Sequence, residues 1–127
     1  MRADCHMHTY FSGDSEAKPE DMVLAAIDKG LEAICFTDHE DIDYFCDDIE
    51  FVFNPETYFK ELGALKEKYK EKLDIRIGVE FGLQPHLAKK AKAFTAAYPY
   101  DFVIGSMHVV GGKDPYYPEF FEGISDE

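Results

Sequence analysis

Short apolar runs alternate with longer amphipathic runs along the chain, and that rhythm leaves few folds open. "MRADCHM" (1–7) reads as a strand. "PEDMVLAAIDKG" (19–30) reads as a helix, with Pro19 in its first turn, Glu20 and Asp21 at its positive end and Gly30 to terminate it. Its apolar residues Met22, Val23, Ala26 and Ile27 share one face. "LEAICFTD" (31–38) reads as a buried strand. "NPETYFKELGALKEKYKEK" (54–72) offers Asn54 as N-cap and Pro55 in the first turn, then Phe59, Leu62, Leu65 and Tyr69 at three- and four-residue steps. A strand at "LDIRIGVEF" (73–81), a helix at "PHLAKKAKAFTAAY" (85–98) and a strand at "YDFVIGSMHVV" (100–110) complete the series. Such βα repetition builds an α/β fold with a parallel sheet and right-handed crossovers, and places its site at the C-terminal strand ends.

The histidines meet that rule. His6 and His8 lie at the end of the first strand, and strict alternation puts Asp4 on the same face. His39 follows the second strand in "CFTDHED", Glu80 ends the third in "GVEFG", and His108 ends the fourth in "IGSMHVV". Asp14, in the loop after the first strand, reaches the same rim. Each strand therefore delivers a metal-type ligand at one end. The expected metal set is His6, His8, Asp14, His39, Glu80 and His108. Imidazole and carboxylate together suit divalent zinc, manganese or iron, and the two oxygens of Glu80 can bridge a pair of ions. Paired ions about 3.5–4 Å apart clamp the attacking and leaving oxygens of a phosphoryl displacement and bring the pKa of a bound water toward about 7. Glu80, His108 and His39 are the metal ligands expected to position the attacking oxygen.

The remaining polar residues read less pointedly. His86, at a helix start, reads as a surface residue or as a support behind the ligands, outside the metal set. Asp4 and Asp38 read as groups that orient neighbouring ligands. Cys5 and Cys35 read as small buried side chains, and the acidic run "DHEDIDYFCDDIE" (38–50) as a solvated loop beyond His39. "DPYYPEFFEG" (114–123) reads as aromatic loop packing in preference to a pocket wall, and "EGISDE" (122–127) as the start of a helix.

Composition sets the limits. Hydrophobic residues make up 46% of the 127, enough for one modest core. Thirteen basic residues stand against 26 acidic ones, a net charge of −13. Such a chain repels polyanions, so nucleic acid and anionic membrane are not expected partners, while bound cations would let it accept a small-molecule phosphate ester. No apolar run approaches the length of a membrane span. Three cysteines without a framework spacing point to reduced thiols and a cytoplasmic setting.

"DCHMHTYFSGD", "CFTDHED", "GVEFGLQPHL" and "VIGSMHVVGGKDPYYPEFFEG" resemble the successive motifs of the polymerase-and-histidinol-phosphatase (PHP) family. "EFGLQPHL" and "HVVGGKDPYYPEFFEG" are most similar to its histidinol-phosphatase branch. The resemblance implies a distorted TIM-like barrel of seven βα units, of which about four are present here, and a centre of up to three divalent ions. It implies hydrolysis of L-histidinol phosphate to L-histidinol and phosphate in histidine biosynthesis. By the same resemblance, His6, His8 and Glu80 would hold one ion, Glu80 and His108 a second, and Asp14 and His39 a third. The family pattern continues with a further histidine and an Asp-x-His pair, whereas no histidine follows His108 here. Residues 1–127 are therefore expected to form a single PHP domain truncated at its C-terminal end. Weaker metal binding and little phosphatase activity are expected of it alone, and self-association through an open sheet edge is a further expectation. Two alternatives stay open: a PHP phosphoesterase or nuclease with another substrate, and an inactive metal-binding or interaction module. Amidohydrolase barrels also open with His-x-His, but "EFGLQPHL" and "GSMHVV" argue against them. Arg2 and Arg76, the two arginines, have no evident phosphate-binding position.

Overall fold

A computed structural model describes residues 1–123. The four expected strands are present as β1 (Ala3–Met7), β2 (Ala33–Glu40), β3 (Asp74–Gly82) and β4 (Phe102–Ser106). They form one parallel sheet in the order β1-β2-β3-β4. The helices between them are α1 (Pro19–Asp28), α2 (Pro55–Lys68) and α3 (Ala88–Ala97). The expected helix start in "EGISDE" falls mostly on 124–127, outside the described residues.

The helix ends follow from their sequences. Gly30 takes the left-handed conformation, φ 72°, after α1. Its N–H donates to the Ile27 carbonyl and that of Leu31 to the Ala26 carbonyl, each at 3.0 Å, which closes the last turn as a Schellman motif. Asn54 caps α2 by accepting the Thr57 N–H at 3.2 Å. The third helix differs from its expected span. Its first turn, Pro85–Leu87, is 3-10, and α3 proper buries none of its residues.

Apolar residues of α1, α2, β2 and β3 meet in one core that contains Val23, Ala26, Ile34, Phe36, Tyr58, Leu62, Ile75 and Ile77. Tyr58 is fully buried, and its hydroxyl donates to the Gly78 carbonyl at 3.0 Å. This core clamps the two central strands, β2 being buried along its whole length. The edge strands are more open, with Phe102 and Val103 of β4 nearly half exposed.

Two expectations about strands change. β2 runs on through His39 to Glu40, because the polar residues there are buried and hydrogen-bonded. Glu40 and Asp41 are consequently not part of a solvated loop. β1 is irregular: Asp4 pairs with Ile34 and Met7 with Phe36, three steps against two. That bulge interrupts the strict alternation expected from Asp4 to His8. Cys35 is buried as expected, whereas Cys5 is exposed because β1 is an edge strand.

Candidate metal centre

The parallel register brings the C-terminal strand ends together. His39 of β2 pairs directly with Glu80 of β3. His6 and His8 arrive from the end of β1, and His108 from two residues past β4. Asp14 comes from the loop after β1. That loop is fixed by Asp38, whose carboxylate accepts from the Thr9 N–H at 2.5 Å, the Thr9 hydroxyl at 3.0 Å and the Ser12 hydroxyl at 2.7 Å. The Ser12 oxygen in turn accepts the His39 backbone N–H at 2.9 Å. Asp38 thus acts on the backbone of the ligand-bearing loop and touches no imidazole. Asp4 likewise accepts the backbone N–H of His6, at 3.1 Å.

All six expected ligands converge. Their ligand atoms form three overlapping groups, His6–His8–Glu80, His8–Asp14–His39 and His39–Glu80–His108, each within 4.8 Å. Glu80 lies at the middle, 4% exposed. Its Oε2 stands 3.0 Å from His6 Nε2 and 2.8 Å from His8 Nε2, and its Oε1 stands 3.2 Å from His108 Nε2. Asp14 Oδ2 is 3.2 Å from His39 Nε2 and 3.4 Å from His8 Nδ1. His86 lies apart, exposed, with Asp43 at 2.9 Å.

These spacings test whether the residues fit divalent ions. Ligands about 2.0–2.1 Å from a tetrahedral ion lie about 3.3 Å from one another. Hydrogen bonding alone accounts poorly for the same atoms. His6 Nε2, His8 Nε2 and Glu80 Oε2 form a triangle with edges of 3.1, 3.0 and 2.8 Å. If both rings donate to the carboxylate, their N–H groups oppose each other; if either does not, one contact has no proton. A cation between the three lone pairs satisfies all of them, so the donor set fits.

The electrostatics are those of a carboxylate held ionised. Burial pushes Glu80 upward, but hydrogen bonds with His108, His8 and His6 outweigh it and hold the carboxyl far below its ordinary range. Hydrogen bonds with Asp41 and then Glu80 push His108 up to about 10, and Glu80 raises His8.

The sequence reading missed two features. Asp41 lies at hydrogen-bonding distance from both His39 and His108. The His39-x-Asp41 spacing could have disclosed it, had the acidic run not been read as solvated. The second feature is a cavity of about 470 Å³ beside the cluster. It is walled by His39, Asp14 and His108 on one side and by Tyr44, Asp47, Phe51, Asp114, Tyr116 and Tyr117 on the other. Tyr44 donates to Asp114 at 2.6 Å, and Tyr117 to Asp47 at 2.5 Å, which joins the two loops. "DPYYPEFFEG" therefore lines a pocket, contrary to the packing expectation. Arg76 pairs with Asp74 far down β3, and neither arginine lines the cavity.

Parallel strands whose C-terminal ends carry a His/Asp/Glu cluster define an α/β protein of partial-barrel type with a metal-ligand site. The PHP domain model matches residues 4–126, and the chain belongs to that family. It is 38% identical over 115 residues to the histidinol-phosphatase of Lactococcus lactis subsp. lactis, which covers 91% of this chain and 42% of that protein. A "probable histidinol-phosphatase" of Clostridium acetobutylicum is 36% identical over 116 residues, covering 91% of this chain and 43% of the relative. The crystal structure of the L. lactis histidinol phosphate phosphatase, complexed with zinc, L-histidinol and phosphate, superposes with a TM-score of 0.83 at 39% identity. It covers 87% of this chain and 41% of that one. The four strands and their helices thus correspond to part of a TIM-like barrel. The chain spans about two fifths of the length of the curated relatives it matches.

Proposed function

We propose that residues 1–127 are the N-terminal part of a PHP domain, and that the whole protein is a metal-dependent phosphomonoesterase acting on L-histidinol phosphate. The observation that carries this reading is the buried Glu80 carboxylate shared by two of three overlapping ligand groups spaced for divalent ions. The zinc, L-histidinol and phosphate named for the L. lactis structure support the metal and the substrate.

His6, His8 and Glu80 would hold one ion, Glu80 and His108 a second, and Asp14 and His39 a third, with zinc the favoured metal. Bound there, the ions supply Lewis acidity toward phosphate oxygens and a water of lowered pKa. The chain's own residues do the rest. Glu80 ties neighbouring positions together through its two oxygens. Tyr44, Phe51 and Tyr116 give the cavity aromatic surface, while Asp47 and Asp114 give it a negative wall. That wall suits a cationic alcohol as the leaving group, so a phosphate monoester of an amino alcohol fits better than a polyanion. Neither arginine lines the cavity, so phosphate recognition here would fall to the bound cations.

A second reading, a metal-binding module without turnover that associates through β1 or β4, is favoured by the open edges of those strands. The deciding experiment loads the chain with zinc, determines metal content by elemental analysis and assays phosphate release from histidinol phosphate against a nucleotide panel. Retained zinc in the wild type, lost in Glu80→Gln, is the expected result, with turnover well below that of a full-length relative. Wild-type chain that retains no zinc would sink the metal-centre reading. Preference for nucleotides would sink the substrate assignment.

A further inference from the structure

Asp41 lies one residue past β2 and is 5% exposed. Its two oxygens go to histidines delivered by different strands. Oδ2 is 2.9 Å from Nδ1 of His39, and Oδ1 is 2.6 Å from Nδ1 of His108. Its own backbone N–H donates to the Phe51 carbonyl at 2.6 Å, which fixes the main chain behind the carboxylate. Gly82, at the end of β3, lies against the same group, and a methyl at that position would overlap Oδ1. The glycine thus leaves the space that the carboxylate fills.

We propose that Asp41 is a positioning residue that sets the tautomer of His39 and His108 together, keeping both Nε2 atoms free as ligands for two neighbouring divalent ions. The proposal rests on the metal-centre reading above. An ionised carboxylate only accepts hydrogen bonds, so each Nδ1 must bring the proton. A neutral imidazole has one N–H, and each Nε2 then keeps its lone pair. Those lone pairs lie where the ligand groups need them: His39 Nε2 is 3.2 Å from Asp14 Oδ2, and His108 Nε2 is 3.2 Å from Glu80 Oε1. Glu80 meets the two rings from the inside of the cluster and Asp41 from the outside, so one carboxylate governs the orientation of ligands in two groups. In a purely structural ion pair both rings would be doubly protonated, and neither Nε2 could bind a metal.

Asp41→Asn separates these roles at constant size. The amide oxygen accepts one Nδ1–H, but the amide nitrogen donates to the other ring, whose proton must move to Nε2. One ligand is kept and one is lost. Gly82→Ala perturbs the same carboxylate without changing its chemistry. The test combines long-range 1H–15N NMR of the histidine rings in zinc-loaded protein with zinc titration against a competing chelator, with far-UV circular dichroism to verify folding. Both rings should be Nδ1–H in the wild type, and one should become Nε2–H in Asp41→Asn. Zinc affinity should fall about 10–100-fold in both variants, as for removal of other partners behind a metal ligand. Unchanged tautomers in Asp41→Asn, or unchanged zinc affinity in both variants, would overturn the proposal while leaving the metal centre intact. A wild-type chain that takes up no zinc overturns the metal-centre reading, and this proposal with it.

Discussion

Glu40 sits at the end of β2 with its side chain turned away from the cluster. It accepts one hydrogen bond, from the Phe53 N–H at 3.0 Å, and burial pushes its carboxyl up to about 7. A carboxyl raised on folding binds more protons in the native state than in the unfolded chain across the interval between the two pKa values. Its contribution is therefore most favourable below about pH 4.5 and is lost as the pH rises through 7. Glu40→Gln keeps the acceptor for Phe53 and removes the charge. It should stabilise the protein by about 2–3 kcal/mol at pH 8 and have little effect near pH 4.5. Urea unfolding at the two pH values decides this, and a variant no more stable at pH 8 than the wild type refutes it. Glu40 and Asp41 were both hidden in the sequence for one reason. In "DHEDIDYFCDDIE" four consecutive polar residues are buried, and hydropathy cannot tell a buried carboxylate with partners from a solvated one. The strand-end ligands His6, His8, His39, Glu80 and His108 were legible because the apolar residues before them fix each strand and its C-terminal end.

Among the elements, the β1–α1 loop depends most on single groups. Ser12 is 1% exposed, donates to Asp38 and accepts from the backbone of His39. Ser12→Ala leaves a buried acceptor and a buried N–H each short of a partner, a loss of about 1–3 kcal/mol. Asn54→Ala, which removes the cap of α2 at the surface, should cost about 1 kcal/mol. Thermal melts of the two variants should therefore rank Ser12→Ala as the more damaging, and Ser12→Ala alone should loosen Asp14 and weaken zinc binding. Equal zinc binding by Ser12→Ala and wild type would count against the loop's role. The helices and strands were readable because their apolar spacing matches their geometry. The β1 bulge and the 3-10 turn at Pro85–Leu87 were not, since both are set by neighbouring strands and loops and not by the periodicity of their own residues.

At the scale of the molecule, the sheet has two incompletely covered edges, one formed by β1 and the other by β4. Unpaired strand edges recruit further strands, while a net charge of −13 keeps copies apart. Added salt screens the repulsion and leaves the backbone pairing. We therefore expect sedimentation to show self-association that grows between about 0.05 and 0.5 M salt and is reduced by Val103→Lys on β4. A monomer at every salt concentration would exclude it. The edge also carries its own reporter. Cys5 lies exposed on β1, Cys35 is buried and Cys46 is partly covered. In a Cys46→Ser background, the rate at which a thiol reagent alkylates Cys5 therefore follows how free that edge is around residue 5, in solution. Whatever completes the sheet, whether another copy of this chain or another segment of a longer one, can be titrated by its power to protect a single sulfur.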